Sequence, residues 1–354
     1  MDLEGPRKRI DEIDAEIARL LSERGELAVE VGRIKAQHSV RVYNPQREMQ
    51  VLENVFRHAS GPLGREAIER IYREVISACR ALEDRPVIAH FGAPASFTHM
   101  AAVRSFGSDC DFVALDDMPD VFTTVEKGAA QYGVVPVENS TGGVVPQTID
   151  RFIESPLRIV GERYMDVHHY LCSKGTLEEI QRVYTHPQVF AQCQRWLREH
   201  LSGSERYEES SSSRGAERAS QEGPGAAAIA TPLAAEIYGL DILAERIEDY
   251  TLNRTRFWII GKDENPPTGR DKTSILFTTR HVAGSLIRAL EVFDRHQINL
   301  TMIQSRPIKG AAWEYVFFID LQGHPADNIV AAALDELDKV TLFYRVLGAY
   351  REEE

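Results

Sequence analysis

From Ile10 onward, apolar residues recur in alternating steps of three and four: Ile13, Ile17, Leu20, then Leu27, Val31 and Ile34. That spacing is a heptad seam on one long helix, running from about residue 6 to 38, and a seam of this kind must face another helix. One of its positions is a charge, Arg24. A guanidinium in an apolar seam is costly unless an anion meets it. Lys35 follows about three turns later, roughly 16 Å along the axis and on nearly the same side. Two long cationic side chains leaning inward can grip one small anion between them. Arg7 lies about 25 Å from Arg24 on a different face. If Arg7 serves the same ligand, it comes from a second chain.

The rest of the first 85 residues is also helical by periodicity. Asn44-Pro45 reads as a cap and first helical residue, opening a helix to His58. Gly61-Pro62-Leu63-Gly64 breaks it, and a third helix follows with Ile68, Ile71, Val75, Ala78 and Leu82 as its stripe. Three helices this small, one of them very long, cannot bury the seam alone. The expectation is an intertwined dimer of three-helix units covering residues 1–85.

At Arg85-Pro86 the pattern changes to short apolar strands alternating with helices: Val87–Phe91, Phe112–Leu115, Tyr132–Val137, Arg158–Tyr164, Arg182–Thr185, Ala226–Ala230 and Phe257–Gly261. This predicts an α/β domain over 86–264. The Ser-, Glu- and Gly-rich stretch Ser202–Gly225 reads as a solvated loop and a polar helix. After Asn265-Pro266-Pro267 the order strand, helix, strand, strand, helix, strand is the ferredoxin-like βαββαβ arrangement, over 272–351.

The 354 residues suffice for two or three domains with their own cores. A net charge of −13 argues against general nucleic-acid or membrane-surface binding. Cys79, Cys110, Cys172 and Cys193 are scattered and no histidines cluster, so a reduced cytoplasmic chain with no metal site and no cofactor is expected. A helical pattern begins almost at once, without a signal peptide, and no apolar run reaches the length of a membrane span.

The segment Glu23-Arg24-Gly25-Glu26-Leu27-Ala28-Val29-Glu30-Val31-Gly32, with Arg7, Arg24 and Lys35 spread along one helix, resembles the all-helical chorismate mutase domain. The resemblance implies that Arg24, Lys35 and Arg47 bind the carboxylates and ether oxygen of chorismate, with Arg7 reaching in from a partner subunit. Glu48 and Glu83 fall at further substrate positions. Asn44 and Cys79 stand where the family commonly has Asp and Ser. The rearrangement is unimolecular, so a site need only hold a compact conformer and stabilise charge on the breaking ether oxygen. Lys35 can donate there. Glu83 can do so only when protonated.

Three segments of the middle domain place small hydroxyl and amide residues at strand ends, where open α/β sheets bind small anions. They are Gly92-Ala93-Pro94-Ala95-Ser96-Phe97-Thr98-His99, Val135-Pro136-Val137-Glu138-Asn139-Ser140-Thr141-Gly142-Gly143 and Tyr184-Thr185-His186-Pro187-Gln188-Val189-Phe190-Ala191-Gln192. With Asn253-Arg254-Thr255-Arg256-Phe257 they resemble prephenate dehydratase, which implies a bilobed domain with prephenate in the cleft. Thr255 then donates to the departing ring hydroxyl, polarised by a neighbour such as Arg256 or a strand-end amide. Glu138, Asn139, Ser140, Thr141, Thr185, Gln192, Arg256 and Phe257 become cleft residues, with hydroxyls added by Ser211 and Ser212. His186, followed by Pro187, reads as shaping a turn.

In the last module, Ala283-Gly284-Ser285-Leu286 opens a helix and Gln304-Ser305-Arg306-Pro307 ends a strand. The module resembles the ACT regulatory domain, which implies phenylalanine bound between paired domains by Gly284, Ser285, Leu286, Asn299, Gln304, Ser305, Arg306 and Pro307. Gln304 stands where a Glu is usual. In this order the three modules resemble the bifunctional chorismate mutase–prephenate dehydratases, as homodimers or homotetramers. A dehydratase with a purely dimerising helical domain, an amino-acid sensor, and an enzyme acting on arogenate are the other readings the residues allow.

Overall fold

The computed structural model describes residues 3–38, 45–250, 252–307 and 315–353. The chain divides into two compact units, Met1–Val87 with Val103–Asp111, and the remainder to Glu354. Asn44 lies outside the described residues.

In the first unit α1 spans Glu4–Gln37, α2 Pro45–His58 and α3 Arg65–Glu83. The seam residues of α1, from Ile10 to Ile34, are 41–56% exposed. On α3 the expected stripe is not the buried face. Ile71 and Leu82 are exposed, whereas Ile76, Ser77, Cys79 and Arg80 are buried. The buried face packs on residues of the 103–111 segment: Ser77 Oγ accepts from Asp109 N at 3.1 Å, and Gly107 lies so close that a Cβ there would sit 2.3 Å from Ser77 Cβ. Gly32 of α1 likewise lets α3 approach, since a Cβ there would meet Glu83 Cα at 3.0 Å.

The second unit starts with β1 (Val87–Phe91), α4 (Phe97–Phe106), β2 (Asp111–Leu115), α5 (Met118–Glu126), β3 (Tyr132–Asn139), β4 (Gly143–Val144), α6 (Pro146–Glu154) and β5 (Arg158–Asp166), with the edges of β1, α4 and β2 shared with the first unit. The chain crosses to a second sheet as β6 (Tyr170–Ser173), β7 (Arg182–Thr185), α7 (Pro187–Gln192), α8 (Gln194–His200), β8 (Glu205–Glu208), α9 (Ser212–Glu222), β9 (Ala226–Ala230), α10 (Pro232–Tyr238) and β10 (Asp241–Ala244). It then returns as β11 (Arg254–Gly261). Among the described residues the sheets run β2-β1-β3-β11-β5, with β4 beside β3, and β10-β6-β9-β7-β8. Two crossovers thus join two lobes.

The lobes are filled as expected from strand burial on both faces. Phe122, Phe152 and Trp258 stack edge to face under the first sheet. The alanine-rich β9 is buried throughout, with Ala226, Ala228 and Ala230 against α9 and α10 and Ala227 and Ile229 against α7 and α8. Ser202–Gly225, expected as loop and helix, supplies β8 and α9, and Gly215, Ala216 and Ala219 seat α9 on the sheet because they are small.

The third part contains β12 (Asp271–Thr278), α11 (Ser285–Arg295), β13 (Leu300–Pro307), β14 (Tyr315–Gln322), α12 (Asn328–Val340) and β15 (Phe343–Arg351), in the antiparallel order β13-β14-β12-β15. This is the expected βαββαβ module, with Ile275, Phe277, Val292, Phe293, Ile319 and Leu337 in its core. It packs directly on the first sheet. A Cβ at Gly348 of β15 would fall 2.0 Å from the Ile159 carbonyl of β5.

Candidate active sites

In the helical unit Lys35 Nζ lies 2.7 Å from Glu83 Oε2, with both side chains largely covered. Arg24 Nη1 donates to the Val75 carbonyl of α3 at 3.3 Å. Glu48 meets Arg80 Nη1 at 2.6 Å, and Arg80 also donates to the Phe106 carbonyl. Burial raises the Glu48 carboxyl, while Arg80, Arg73 and Lys35 oppose that rise. Cys79 is buried beside them on α3. Arg47 is exposed and reaches Gln50 at 3.5 Å, and Arg7 is exposed at the far end of α1. Arg80 was missed by sequence reading because it sits off the apolar stripe. Its carboxylate partner on α2 was the only available signal.

In the second unit the strand pairing builds the site. β11 runs antiparallel to β3 with Thr255 opposite Asn139 and Arg256 opposite Glu138. Cross-strand partners share a face, and successive residues alternate faces. Thr255 therefore lies within the strand rather than in the loop before it, side by side with Asn139. Asn139 Nδ2 donates to Thr255 Oγ1 at 2.8 Å and to Asn253 Oδ1 at 2.8 Å. Asn139 Oδ1 accepts from the Thr141 and Gly142 amides at 3.0 and 2.9 Å. Backbone N–H groups can only donate, so the side-chain amide has one orientation. Thr255 is the acceptor in that bond, which leaves its proton for an outward acceptor.

Thr141 Oγ1 meets Asn139 Oδ1 at 2.6 Å, and Gln192 Nε2, from the second lobe, meets Thr141 Oγ1 at 3.1 Å. Ser140 Oγ donates to the Leu252 carbonyl at 3.1 Å and accepts from Arg254 N at 2.9 Å. Thr185 is buried, its hydroxyl given to the Ile229 carbonyl at 2.7 Å. His186 caps α7 by accepting from Gln188 N, the turn-shaping role expected of it. Ser211 caps α9 in the same way, while Ser213 and Thr231 hold the Pro94 and Ala95 carbonyls of the first-lobe loop. His169, absent from the sequence reading, bonds Gln192 Oε1 through Nε2 at 2.7 Å.

Glu138 and Arg256 do not join this cluster. The register turns both to the opposite face. Arg256, expected in the substrate cleft as a polariser of Thr255, is buried in an ion cluster: Nε and Nη2 meet Glu162 Oε2 at 2.8 and 2.7 Å, and Nη1 lies 2.6 Å from Asp320 Oδ2. Tyr350 OH accepts from Arg256 Nη2 at 3.0 Å, and Lys272 Nζ reaches Glu162 Oε1 at 2.9 Å. Burial alone would lower the Lys272 ammonium, but Glu162 outweighs it and the value is raised. The group that donates to Thr255 Oγ1 is the Asn139 amide instead. Phe257 is fully buried core.

In the βαββαβ module Gly284 caps α11 with φ at 78°, a conformation that favours glycine. Ser285 Oγ accepts from Arg288 Nη2 at 3.1 Å, and Leu286 packs on the module core. Gln304, Ser305, Arg306 and Pro307 lie on the edge strand β13, and Asn299, just before it, donates to Gln322 at 3.2 Å. Arg306, expected at the effector, holds Asp150 of α6 through two bonds of 2.8 and 3.0 Å.

The chorismate mutase type II family matches residues 6–84, the prephenate dehydratase family 88–265 and the ACT domain 273–339. The bifunctional chorismate mutase/prephenate dehydratase of Aquifex aeolicus is 44% identical over 99% of this chain and 98% of its own length. Among solved structures, prephenate dehydratase from Arthrobacter aurescens in complex with L-Phe is 31% identical with a TM-score of 0.70, covering 75% of this chain and 90% of that one. GqqA, described as a novel type of quorum-quenching acylase, is 30% identical with a TM-score of 0.70, over 75% of this chain and 98% of that one. A helical mutase domain, a bilobed lyase domain and a small regulatory module define a multifunctional enzyme. The chain belongs to the bifunctional chorismate mutase/prephenate dehydratase family. It is an isomerase and a carbon–oxygen lyase of phenylalanine biosynthesis, turning chorismate into prephenate and prephenate into phenylpyruvate.

Proposed function

We propose that dehydration is driven by Thr255, and the fixed orientation of the Asn139 amide is the observation that carries this. The C–O bond to the ring hydroxyl breaks as Thr255 supplies a proton, and water leaves. The ring carboxylate departs as carbon dioxide, its bonding electrons completing the aromatic ring, and solvent returns a proton to Thr255. A threonine hydroxyl is a very weak acid, and the Asn139 N–H donated to its oxygen stabilises the developing alkoxide. Ser140, Thr141 and Gln192 line the substrate's end of the cleft, while Thr185, buried behind them, gives its hydroxyl to the Ile229 carbonyl. Incubating the protein with prephenate and following phenylpyruvate tests the assignment. Thr255→Val should abolish dehydration and leave mutase activity intact, and a variant with full dehydratase activity overturns it.

In the helical domain, residues 1–85, Arg24, Lys35, Arg47, Glu48, Cys79 and Glu83 hold chorismate, with Arg7 supplied by a second copy in a homodimer. The long exposed seam of α1 supports that pairing. Residues 86–264 form the dehydratase domain and 272–351 the regulatory domain of a cytoplasmic enzyme. Phenylalanine binds paired regulatory domains near Gly284, Ser285 and Leu286, with Asn299 and Gln304–Pro307. The Arg256–Asp320 contact then relays the effector's presence to β11, so feedback passes through the packed sheets.

A further inference from the structure

The bond directions set at Thr255 continue across the cleft. Asn139 Oδ1 already faces two backbone donors, so Thr141, 2.6 Å away, must give it the hydroxyl proton. Thr141 Oγ1 is then an acceptor, and the Gln192 atom 3.1 Å from it must be the amide nitrogen. Gln192 accordingly turns its oxygen to His169 Nε2 at 2.7 Å. An oxygen at that position requires the ring proton to be on Nε2. His169 Nδ1 is the complementary bare nitrogen, buried with no hydrogen-bond partner among the described residues, and the ring packs edge-on to Phe97 at 6.0 Å. Every step has one allowed direction.

His169 sits on the crossover between β5 and β6, where the chain leaves one lobe for the other. Its backbone is anchored independently of its ring: the N–H donates to Glu248 Oε2 and the carbonyl accepts from Ile247 N, both at 2.9 Å on the returning crossover. Gln192 belongs to the second lobe and Thr141 to the first, so the relay spans both. Burial lowers the imidazole pKa, against Gln192 and Glu248, which raise it, so the ring stays neutral at neutral pH.

We infer that His169 is a positioning residue of the dehydratase, whose Nε2–H fixes the Gln192 amide and, through Thr141, the Asn139 amide that donates to Thr255. Without that donor the Gln192 amide can turn over and compete for the Thr141 proton, loosening Asn139. The inference rests on Thr255 being the proton donor.

The test uses the full chain, with mutase activity of the same protein as the folding control. His169→Leu fills the space without a donor. It should lower dehydratase kcat about tenfold to a hundredfold while KM stays within about twofold. His169→Gln places an amide nitrogen near the same point and should recover most of the loss. Nitrogen NMR of the histidine rings should report the Nε2–H tautomer at His169, changed by Gln192→Leu. Wild-type kcat in His169→Leu, equal losses in the Leu and Gln variants, or a proton on Nδ1 would each overturn the inference. Full dehydration by Thr255→Val would instead refute the role of Thr255, and the tautomer result would still decide whether the relay exists.

Discussion

Arg256 Nη1 lies 2.6 Å from Asp320 Oδ2, joining the strand that carries Thr255 to the sheet of the regulatory module. Both side chains are almost fully buried, and Glu162, Lys272 and Tyr350 join them in the cluster. Removing one partner of a buried pair leaves an uncompensated charge and costs about 3–5 kcal/mol. Asp320→Asn should therefore lower the thermal midpoint and blunt inhibition of dehydration by phenylalanine. The mutase rate should be unchanged. A phenylalanine dose–response curve identical to wild type would separate this cluster from regulation.

Asn139→Asp keeps the shape of the side chain but replaces the donor facing Thr255 with a carboxylate oxygen. That variant should lose dehydratase kcat by about a hundredfold or more, in the range seen when one aligned donor is removed from an active site. Steady-state kinetics with prephenate would check it.

Lys35 and Glu83 face each other at 2.7 Å between α1 and α3. A carboxylate repels negative charge developing on a breaking ether oxygen, whereas a neutral amide donates a hydrogen bond to it. Glu83→Gln should therefore raise mutase kcat severalfold, and Lys35→Met should lower it by about a hundredfold or more. Wild-type kcat in both variants, measured with chorismate, would exclude the pair from the mutase site.

Gly32→Val probes the same pair from the other helix. The added branches meet Glu83 Cα and Cβ, already 3.0 and 3.1 Å from a Cβ at this position, so α1 and α3 must separate. The variant should lose mutase activity while prephenate dehydration continues, as parallel assays on one preparation would reveal.

His90 supplies an acid-side prediction. Burial, with a smaller contribution from His99 stacked on it at 4.7 Å, lowers its pKa to about 4. The unfolded chain takes up this proton near pH 6.5 and the folded one only near the lower value, so stability declines as pH falls between them. The difference corresponds to about 3 kcal/mol once pH lies below both. Urea midpoints followed by tryptophan fluorescence should drop over that interval, and His90→Phe should lessen the drop.

Much of this was legible in the chain itself. The three-step and four-step seam of α1, the strand runs such as Val87–Phe91 and Ala226–Ala230, and the βαββαβ order follow from local periodicity. Thr255, Asn139 and Gln192 were recognisable because each lies in a short motif. Residues whose role depends on a partner far along the chain were not. Arg256 reads as a neighbour of Thr255 in sequence, yet strand alternation sends the two to opposite faces. His169 lies in no motif and acquires meaning only from Gln192 across the lobe boundary. Arg80 and Glu48 are separated by a helix break before they pair.

The sequence by itself determined which elements form, in what order, and which family chemistry they carry, because periodicity and motif are local properties of a chain. Only the tertiary structure decided which side chains meet, because the pairing of Thr255 with Asn139 and of Arg256 with Glu138 sends neighbouring residues of β11 to opposite faces.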